Sequence, residues 1–373
     1  MARVLVTGGG GFIGSHLVDA LVERGHQVRV LDNLSPQVHG RGAKPPGYLN
    51  PRAEFVKGDV RSRPNLRAAL EGVEVVFHQA AAVGVGQSMY EIRRYVDVNT
   101  YGGAVLLDVL ANEPHTVRKL IVASSMSIYG EGAYECPTHG RVYPSLRSEA
   151  QLAARDWEMH CPDCDQPVAA RPTDEQKPLA PTSIYAITKR DHEEMFLTVG
   201  RAYKLPTVAL RYFNVYGPRQ ALSNPYTGVA AIFSSRLLNG RAPLVFEDGR
   251  QTRDFTHVRD IVQANLLAME SSAGDYEVFN VGTGVPTSVA RVAELLAQHL
   301  GLDLQPEIVQ QFRAGDIRHC YADVGKIQRL LGYQPSVTFQ AGLDDLVAWA
   351  RDQRPEDAVE RATRELAAKA LIQ

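Results

Sequence analysis

The chain has 373 residues, enough for about two domains with a full hydrophobic core. Apolar residues make up 45% and charged residues 22% of it, as in an ordinary globular protein, and the net charge of −2 argues against a non-specific nucleic-acid or polybasic membrane binder. Four cysteines do not make a disulfide scaffold, no apolar run approaches the ~18 residues of a membrane span, and the N-terminus enters a strand directly instead of a signal peptide. We expect a cytoplasmic protein with no nucleic-acid or membrane partner.

The first predicted unit is a strand, a glycine-rich turn, a helix and a second strand. Arg3–Thr7 and Gln27–Leu31 are short apolar runs typical of buried parallel strands, and Ser15–Arg24 is amphipathic. The intervening glycines let the chain turn tightly, so a pyrophosphate can approach the helix N-terminus. Asp32 ends the second strand, where its carboxylate suits ribose hydroxyls and repels a 2′-phosphate, so we predict NAD and not NADP. The residues assigned to NAD here are Gly8, Gly11, Phe12, Ile13, Gly14, Asp32 and Asn33.

The same alternation continues along the chain. Further strands are predicted at Glu54–Lys57, Val73–His78, Lys119–Ser124 and Thr207–Phe213, and helices at Asn65–Leu70, Val98–Ala111 and Ser183–Tyr203. Repeated strand–helix units predict an α/β fold with a Rossmann-type, doubly wound parallel sheet and helices on both faces. The ligand then lies beyond the carboxyl ends of the strands, where His78, Ser124 and Asn214 are expected.

Beyond residue 213 the pattern loosens. We assign 1–213 to the NAD-binding domain, with part of 250–275 returning to it, and 214–352 mainly to a smaller mixed α/β substrate lobe that includes the run from Val278 to Gly284. Residues 353–373 are expected to form a solvated helical tail. Arg219, Arg253 and Arg313 lie in loop-like settings near glycines, and together their guanidinium forks suit a diphosphate, although each alone is better explained as a surface residue.

Tyr185-Ala-Ile-Thr-Lys189 lies in the predicted helix Ser183–Tyr203. Residues four apart share one helix face, so the Lys189 ammonium is expected to favour the ionised form of Tyr185 and lower its pKa. A nicotinamide cation would lower it further. The pair is therefore a candidate base that takes a proton from a sugar hydroxyl as hydride leaves the same carbon.

Together these motifs resemble the extended short-chain dehydrogenase/reductase family, specifically its NAD-dependent nucleotide-sugar epimerases and dehydratases. The similar stretches are Thr7–Gly14, Gly58–Val60, His78–Ala81, Asn99–Thr100, Ser124–Gly130, Tyr185–Lys189, Arg211–Arg219 and Arg253–Phe255. The resemblance implies a dTDP- or UDP-sugar substrate and a homodimer formed through the helices near 98–112 and 183–203. It implies catalytic roles for Ser125, Tyr185 and Lys189, NAD contacts that also include Asp59, Val60, Ala80, Ala81, Asn99, Ser124, Tyr185 and Lys189, and substrate contacts from Ser88, Ser127, Asn214, Arg219, Arg253, Arg313 and Asp316. For Asn99 a simple helix cap is an alternative.

The resemblance also bears on the reaction. In the 4,6-dehydratases of the family, the residue that matches Ser125 is followed by Asp-Glu, whereas Ser125 is followed here by Met126 and Ser127. This difference implies oxidation and reduction at C4 only, and therefore net 4-epimerisation. The runs Met126–Gly132, Cys136–His139 and Gly217–Gly228 are most similar to the dTDP-L-rhamnose 4-epimerases, with UDP-hexose 4-epimerases as the alternative. A net 4-dehydrogenase and a non-catalytic NAD-binding regulator remain open.

Tyr129 and Tyr185 are 56 residues apart, about twice the spacing in compact members of the family. The surplus carries Cys136-Pro-Thr-His139 and Cys161-Pro-Asp-Cys164. This spacing suits a closed tetrahedral zinc site that would stabilise an insertion too small to bury its own core. We predict that 131–177 is a zinc-ribbon-like segment beside the pocket mouth, with ligands Cys136, His139, Cys161 and Cys164; incidental thiols or a loop disulfide are the alternatives.

Overall fold

Seven parallel strands form the central sheet of this computed structural model, which describes residues 1–42 and 44–372. Gln373, the last residue of the predicted tail, lies outside the described residues. The strands are β1 (Arg3–Thr7), β2 (Gln27–Asp32), β3 (Glu54–Lys57), β4 (Val75–His78), β5 (Lys119–Ser125), β6 (Ala133–Cys136), β7 (Gly140–Val142), β8 (Ala169–Arg171), β9 (Thr207–Tyr212), β10 (Asn214–Tyr216), β11 (Leu244–Val245), β12 (Thr252–His257), β13 (Val278–Val281), β14 (Pro286–Ser288), β15 (Glu307–Ile308) and β16 (His319–Cys320).

Helices surround the sheet and build most of the second lobe. They are α1 (Phe12–Glu23), α2 (Pro36–His39), α3 (Arg63–Leu70), α4 (Val85–Ser88), α5 (Ile92–Tyr95), α6 (Gly102–Asn112), α7 (Glu149–Ala153), α8 (Ile184–Tyr203), α9 (Val229–Leu238), α10 (Val258–Glu270), α11 (Val289–Leu300), α12 (Gly325–Leu331), α13 (Phe339–Arg351) and α14 (Val359–Ala367). Val96–Tyr101 joins α5 to α6 with π-helical hydrogen bonding, and Met126–Tyr129 and Ser272–Gly274 are 3₁₀ turns. No helix in the described ranges has both the length and the apolarity needed to cross a membrane.

The strand order is β13-β9-β5-β4-β1-β2-β3, which confirms the predicted Rossmann-type doubly wound sheet. Alternate side chains of β1 enter opposite cores, because successive residues of a strand point to opposite faces. Val4 and Val6 pack with α1 and α10, whereas Leu5 packs with α3, α6 and α8. The chain reverses its direction of winding between β1 and β4, and this switch point opens a crevice at the carboxyl ends of both strands.

The second lobe holds fewer residues than predicted. Val278–Val281 was assigned to it, but this run is β13, an edge strand of the main sheet that pairs with β9 through Asn280 and Arg211. A short apolar run has the same sequence pattern in either lobe, so the sequence could not show which strand this run pairs with. The lobe itself consists of a sheet of β10, β12, β14 and β16, the pair β11–β15, and α9, α11 and α13 around a separate apolar core.

Two peripheral segments lie outside the central sheet. The insertion forms a three-stranded antiparallel sheet, β7-β6-β8, and the crevice at the carboxyl ends of the strands is lined by residues outside 131–177. The C-terminal tail is not simply solvated. Ala362 and Leu366 of α14 are buried, and the Ala314 N–H donates to the Leu371 carbonyl, because the amphipathic α14 lays its apolar stripe over the cavity.

Candidate active site

A continuous cavity of about 1050 Å³ runs from the glycine-rich turn after β1 to the second lobe. It is larger than most single-ligand pockets, so it has room for a dinucleotide and a second ligand. Twenty predicted site residues line it: Gly8, Gly11, Phe12, Ile13, Gly14, Asp32, Asn33, Asp59, Val60, Ala80, Ala81, Ser124, Ser125, Ser127, Tyr185, Lys189, Asn214, Arg253, Arg313 and Asp316.

The glycine-rich turn has no room for side chains. Gly8 has a φ of +70°, and a Cβ built on it would lie 2.8 Å from the Ala80 backbone. A Cβ on Gly14 would lie 2.3 Å from the Gly8 carbonyl oxygen. Helix α1 then begins at Phe12 without a side-chain cap, so its first N–H groups and its positive dipole end face the cavity. This cradle fits the pyrophosphate of a dinucleotide.

Two carboxylates lie at the next strand ends. Asp32 is buried, and its oxygens accept hydrogen bonds from the Gly10 N–H at 3.0 Å and the Leu34 N–H at 2.8 Å. Asp59 accepts hydrogen bonds from Arg61 and Asn33, and these interactions, led by Arg61, lower the pKa of Asp59 to about 2. A negative charge at this end suits adenosine hydroxyl groups and disfavours a 2′-phosphate, as predicted for NAD.

Ser125, Tyr185 and Lys189 meet in the middle of the cavity, where the end of β5 faces the first turns of α8. The Lys189 ammonium donates to the Ala123 carbonyl at 2.8 Å. Ser125 Oγ accepts hydrogen bonds from both the N–H and the hydroxyl of Ser127, at 3.2 and 3.0 Å. The Ser125 proton is therefore free to be donated to Tyr185 or to a bound hydroxyl group.

The predicted acidity of Tyr185 is not a property of the protein alone. Burial raises the pKa of Tyr185 to about 12, and only the hydrogen bond with Ser125 opposes this shift. Burial likewise lowers the pKa of Lys189 to about 7, so its charge is itself weakened at neutral pH. Lys189 is not among the groups that shift the pKa of Tyr185 in the chain by itself, so its lowering effect stays a prediction for the protein with bound NAD.

Three of the residues predicted to contact NAD or the substrate do not line the cavity. Ser88 lies behind Tyr185, Arg219 is paired with Asp19 at 2.7 Å, and Asn99 lies inside a helical run and not at its start. Asn99 binds both backbone groups of Ala82 and also the Thr188 hydroxyl, so it ties the loop after β4 to α8. In this structure these side chains bind other parts of the protein. The spacing of residues in the sequence could not distinguish such an internal contact from a contact with a ligand.

The far end of the cavity is cationic. Arg253 donates to the Ile317 and Arg318 carbonyls, and Arg313 pairs with Asp316 while its guanidinium lies 4.6 Å from the Phe246 ring centroid. The side-chain oxygens of Asn214 and Gln251 are buried there and have no hydrogen-bond partner among the described residues. Two guanidinium groups, an aromatic ring and unpaired amide oxygens suit a nucleoside diphosphate. Phe246 and Gln251 were missed, since neither belongs to a recognisable motif.

A buried ion pair under the site was also missed. Arg211 binds Glu193 through two hydrogen bonds, Glu193 accepts a third from Ser124 at 2.8 Å, and Arg211 donates a further one to Tyr129 at 2.7 Å. Breaking such a buried pair costs about 3–5 kcal/mol, so it fixes β5, α8 and β9 relative to one another. Arg211 belongs to one of the stretches that resemble the family, but its partner Glu193, 18 residues earlier, belongs to none of them.

The four predicted zinc ligands converge, with their ligand atoms all within 4.8 Å of one another. The Cys136 and Cys164 sulfurs are 3.7 Å apart, and His139 Nδ1 lies 3.6 Å from Cys136 Sγ and 3.4 Å from Cys161 Sγ. Around tetrahedral zinc, two sulfurs are about 3.8 Å apart and a sulfur and a nitrogen about 3.6 Å. Cys136 and Cys164 do not form a disulfide at this separation, since an S–S bond is about 2.05 Å long. The donor set and its geometry fit zinc.

Fold and site together define a Rossmann-type protein of the extended short-chain dehydrogenase/reductase class. The chain belongs to the NAD dependent epimerase/dehydratase family, which it matches over residues 4–149 and 161–282.

Individual relatives are similar over nearly the whole chain. A dTDP-L-rhamnose 4-epimerase from Burkholderia thailandensis is 34% identical, over 93% of this chain and 94% of that protein. The crystal structure of a UDP-glucose 4-epimerase from Thermotoga maritima with UDP-glucose has a TM-score of 0.74 and 35% identity, and covers 94% of this chain and 98% of that one. A Thermus thermophilus UDP-glucose 4-epimerase in complex with NAD has a TM-score of 0.72 and 31% identity, covering 94% and 99%.

Proposed function

We propose that the protein is an NAD-dependent 4-epimerase of a nucleotide-diphosphate sugar. The observation that carries this proposal is that all four carboxylates of the cavity wall are already bound. Asp32 accepts backbone N–H groups, Asp59 binds Arg61, Glu247 binds Arg147, and Asp316 binds Arg313. Among the described residues no carboxyl group of the wall is thus free for the acid–base work that elimination of a sugar hydroxyl requires.

The chain's own groups support proton transfer at one sugar carbon. Ser125 donates a hydrogen bond to the reacting hydroxyl group, and Tyr185 removes the proton and later returns it. Lys189 holds the nicotinamide ribose and adds positive charge beside the phenol. Bound NAD supplies the acceptor and donor of the hydride, and its positive ring offsets the burial that raises the tyrosine pKa. The sugar turns over in the cavity between the two transfers, and the configuration at C4 is inverted.

For the substrate we propose dTDP-L-rhamnose, interconverted with dTDP-6-deoxy-L-talose. The support is the similarity to the Burkholderia enzyme and the runs Met126–Gly132 and Gly217–Gly228. A UDP-hexose is the competing candidate, given the similarity to the Thermotoga enzyme. Separate incubations with dTDP-L-rhamnose and UDP-galactose, followed by analysis of the released sugars, decide between them. We expect a talose derivative from the incubation with dTDP-L-rhamnose and no conversion of UDP-galactose. The opposite result would assign the enzyme to UDP-hexoses.

We further propose that Cys136, His139, Cys161 and Cys164 hold one structural zinc ion. Four protein ligands leave no open position, so the metal stabilises the insertion and takes no part in the reaction. Metal analysis of purified protein should give close to one zinc per chain, and Cys164→Ser should lose it. A metal-free protein with full stability would contradict this assignment.

We also propose that the protein is a homodimer. Ile92, Val96, Tyr101 and Ile187 are large apolar residues that are 40–54% exposed on α5, the π-helical segment and α8. An apolar surface of this kind on neighbouring helices is typical of an interface. Light scattering should give twice the chain mass, and Tyr101→Glu with Ile187→Glu should give the monomer.

A further inference from the structure

The insertion lies directly behind the cationic wall of the cavity, and buried charges join the two. Arg147 of the insertion has a side chain that is 1% exposed. Its two terminal nitrogens donate to the Glu247 carboxylate at 2.9 and 2.8 Å, and one of them also reaches the Asp316 carbonyl at 3.3 Å. Glu247 and Asp316 both line the cavity. Arg147 thus connects the insertion to two separate parts of that wall.

A second buried arginine completes the connection from the opposite side. Arg318 is fully buried and binds Glu247 at 3.0 Å and Asp248 at 2.7 Å within the second lobe. It also pairs with Glu158 of the insertion, and its backbone N–H donates to Glu131 at 2.6 Å. Arg318 and Glu247 are both buried, and such a pair is held in one geometry, because an unpaired member would carry a large desolvation cost.

These contacts reach the groups that face the substrate. The carbonyls of Ile317 and Arg318 accept hydrogen bonds from Arg253, and the Arg313–Asp316 pair begins the same loop. The loop 313–318 is therefore held by the insertion on one side and orients both cavity arginines on the other.

The proposed zinc site closes the segment that carries these contacts. The chain leaves the cluster at His139 and returns to it at Cys161, and Arg147 and Glu158 lie between. Fixing both ends of the 21-residue loop 140–160 removes much of its conformational freedom, so Arg147 and Glu158 are presented in one arrangement.

We infer that the zinc-closed insertion is a positioning element for the nucleoside-diphosphate end of the cavity. It acts through Arg147 and Arg318, which fix the 246–248 turn and the 313–318 loop and thereby aim Arg253 and Arg313. The inference rests on the proposed function in that the ligand is a nucleotide sugar, and it gives the insertion a part in substrate affinity. Arg147 is a positioning residue, since it does not itself line the cavity.

The test compares Arg147→Gln with Arg171→Ala, which removes an exposed ion pair with Glu135 in the same insertion. Binding of dTDP and of UDP is titrated by calorimetry, and bound NAD is quantified in each protein. We expect at least a 10-fold loss of affinity for the nucleoside diphosphate in Arg147→Gln and in chelator-treated wild type, with NAD content unchanged. The KM for the sugar nucleotide should rise by the same factor, kcat should change by less than 3-fold, and Arg171→Ala should match the wild type.

Wild-type affinity for both nucleoside diphosphates in folded Arg147→Gln would overturn the inference. A parallel loss of NAD and nucleoside diphosphate would also overturn it, since that result indicates general unfolding. If Arg147→Gln does not accumulate as folded protein, the chelator-treated wild type decides by the same titration. A failure of the proposed function would be seen in a different measurement: the wild-type protein would epimerise no sugar, while its affinities for dTDP and UDP could still be measured.

Discussion

The hydroxyl of Ser88 accepts a hydrogen bond at 3.0 Å from the backbone N–H of Tyr185 and donates one to the Val85 carbonyl at 2.6 Å. Tyr185 lies in the first turn of α8, where N–H groups have no partner within the helix. Ser183 caps the next N–H, that of Ala186. The backbone of the proposed catalytic tyrosine is therefore held both by its own helix cap and by the loop that follows β4.

Ser88→Ala removes one of these supports. The half-buried Tyr185 N–H then loses this partner, which should cost about 1 kcal/mol of stability. Because the phenol shifts with its helix turn, kcat should fall about 10- to 100-fold with little change in KM. Steady-state kinetics and thermal melts measure both effects, with the exposed Ser145→Ala as control. Full activity in Ser88→Ala would show that Ser183 is sufficient.

Tyr185→Phe tests the proton transfer itself. Removal of a positioned acid–base group should reduce kcat by about 10²- to 10⁴-fold, while NAD content and the substrate KM stay near their wild-type values. Tyr203→Phe, at the exposed end of the same helix, is the control. Unchanged turnover in Tyr185→Phe would favour a non-catalytic NAD-binding regulator.

Lys189 should leave a signature in the dependence of stability on pH. Burial lowers its pKa in the folded chain to about 7, whereas the pKa of an unfolded lysine is about 10.4. Between these values the unfolded chain binds the proton and the folded chain does not, so the free energy of unfolding rises with pH. Lys189→Met should therefore be more stable than wild type at pH 6–7, and this advantage should shrink toward pH 10.

Thermal melts of nucleotide-stripped protein across that range measure the difference between the two proteins. The exposed Lys57→Met serves as control and should track the wild type at every pH. A stability difference between wild type and Lys189→Met that does not vary with pH would mean that Lys189 stays charged in the folded chain.

The C-terminal helix should contribute to substrate affinity. Leu366 is buried, lines the cavity and faces Gly86, and Glu365 accepts hydrogen bonds from Tyr90 and Tyr226 on two neighbouring loops. Leu366→Ala loosens this cover, so the KM for the sugar nucleotide should rise several-fold while NAD content is unchanged. The exposed Arg364→Ala, two residues away, should behave as wild type. An equal effect of both substitutions would argue against a specific role of the apolar contact.

Local sequence determined the cofactor-binding half of the protein. Gly8 is favoured locally by its φ of +70°, Gly14 by its close approach to the Gly8 carbonyl, and Asp32 is the last residue of the next strand, so short-range spacing was sufficient. The same holds for Tyr185 and Lys189, which one helix places on one face, and for the two pairs of metal ligands, which two tight turns present.

The tertiary structure alone decided what depends on partners far apart in the chain. It placed β13 in the main sheet, laid α14 over the cavity, and joined Arg147 to Glu247 across 100 residues. Burial also raises the pKa of Tyr185, and the burial of a phenol depends on everything packed around it and not only on its neighbour four residues away. The spacing of residues determines which side chains share a face of one helix or strand. Desolvation and long-range pairing arise only when separate elements pack together.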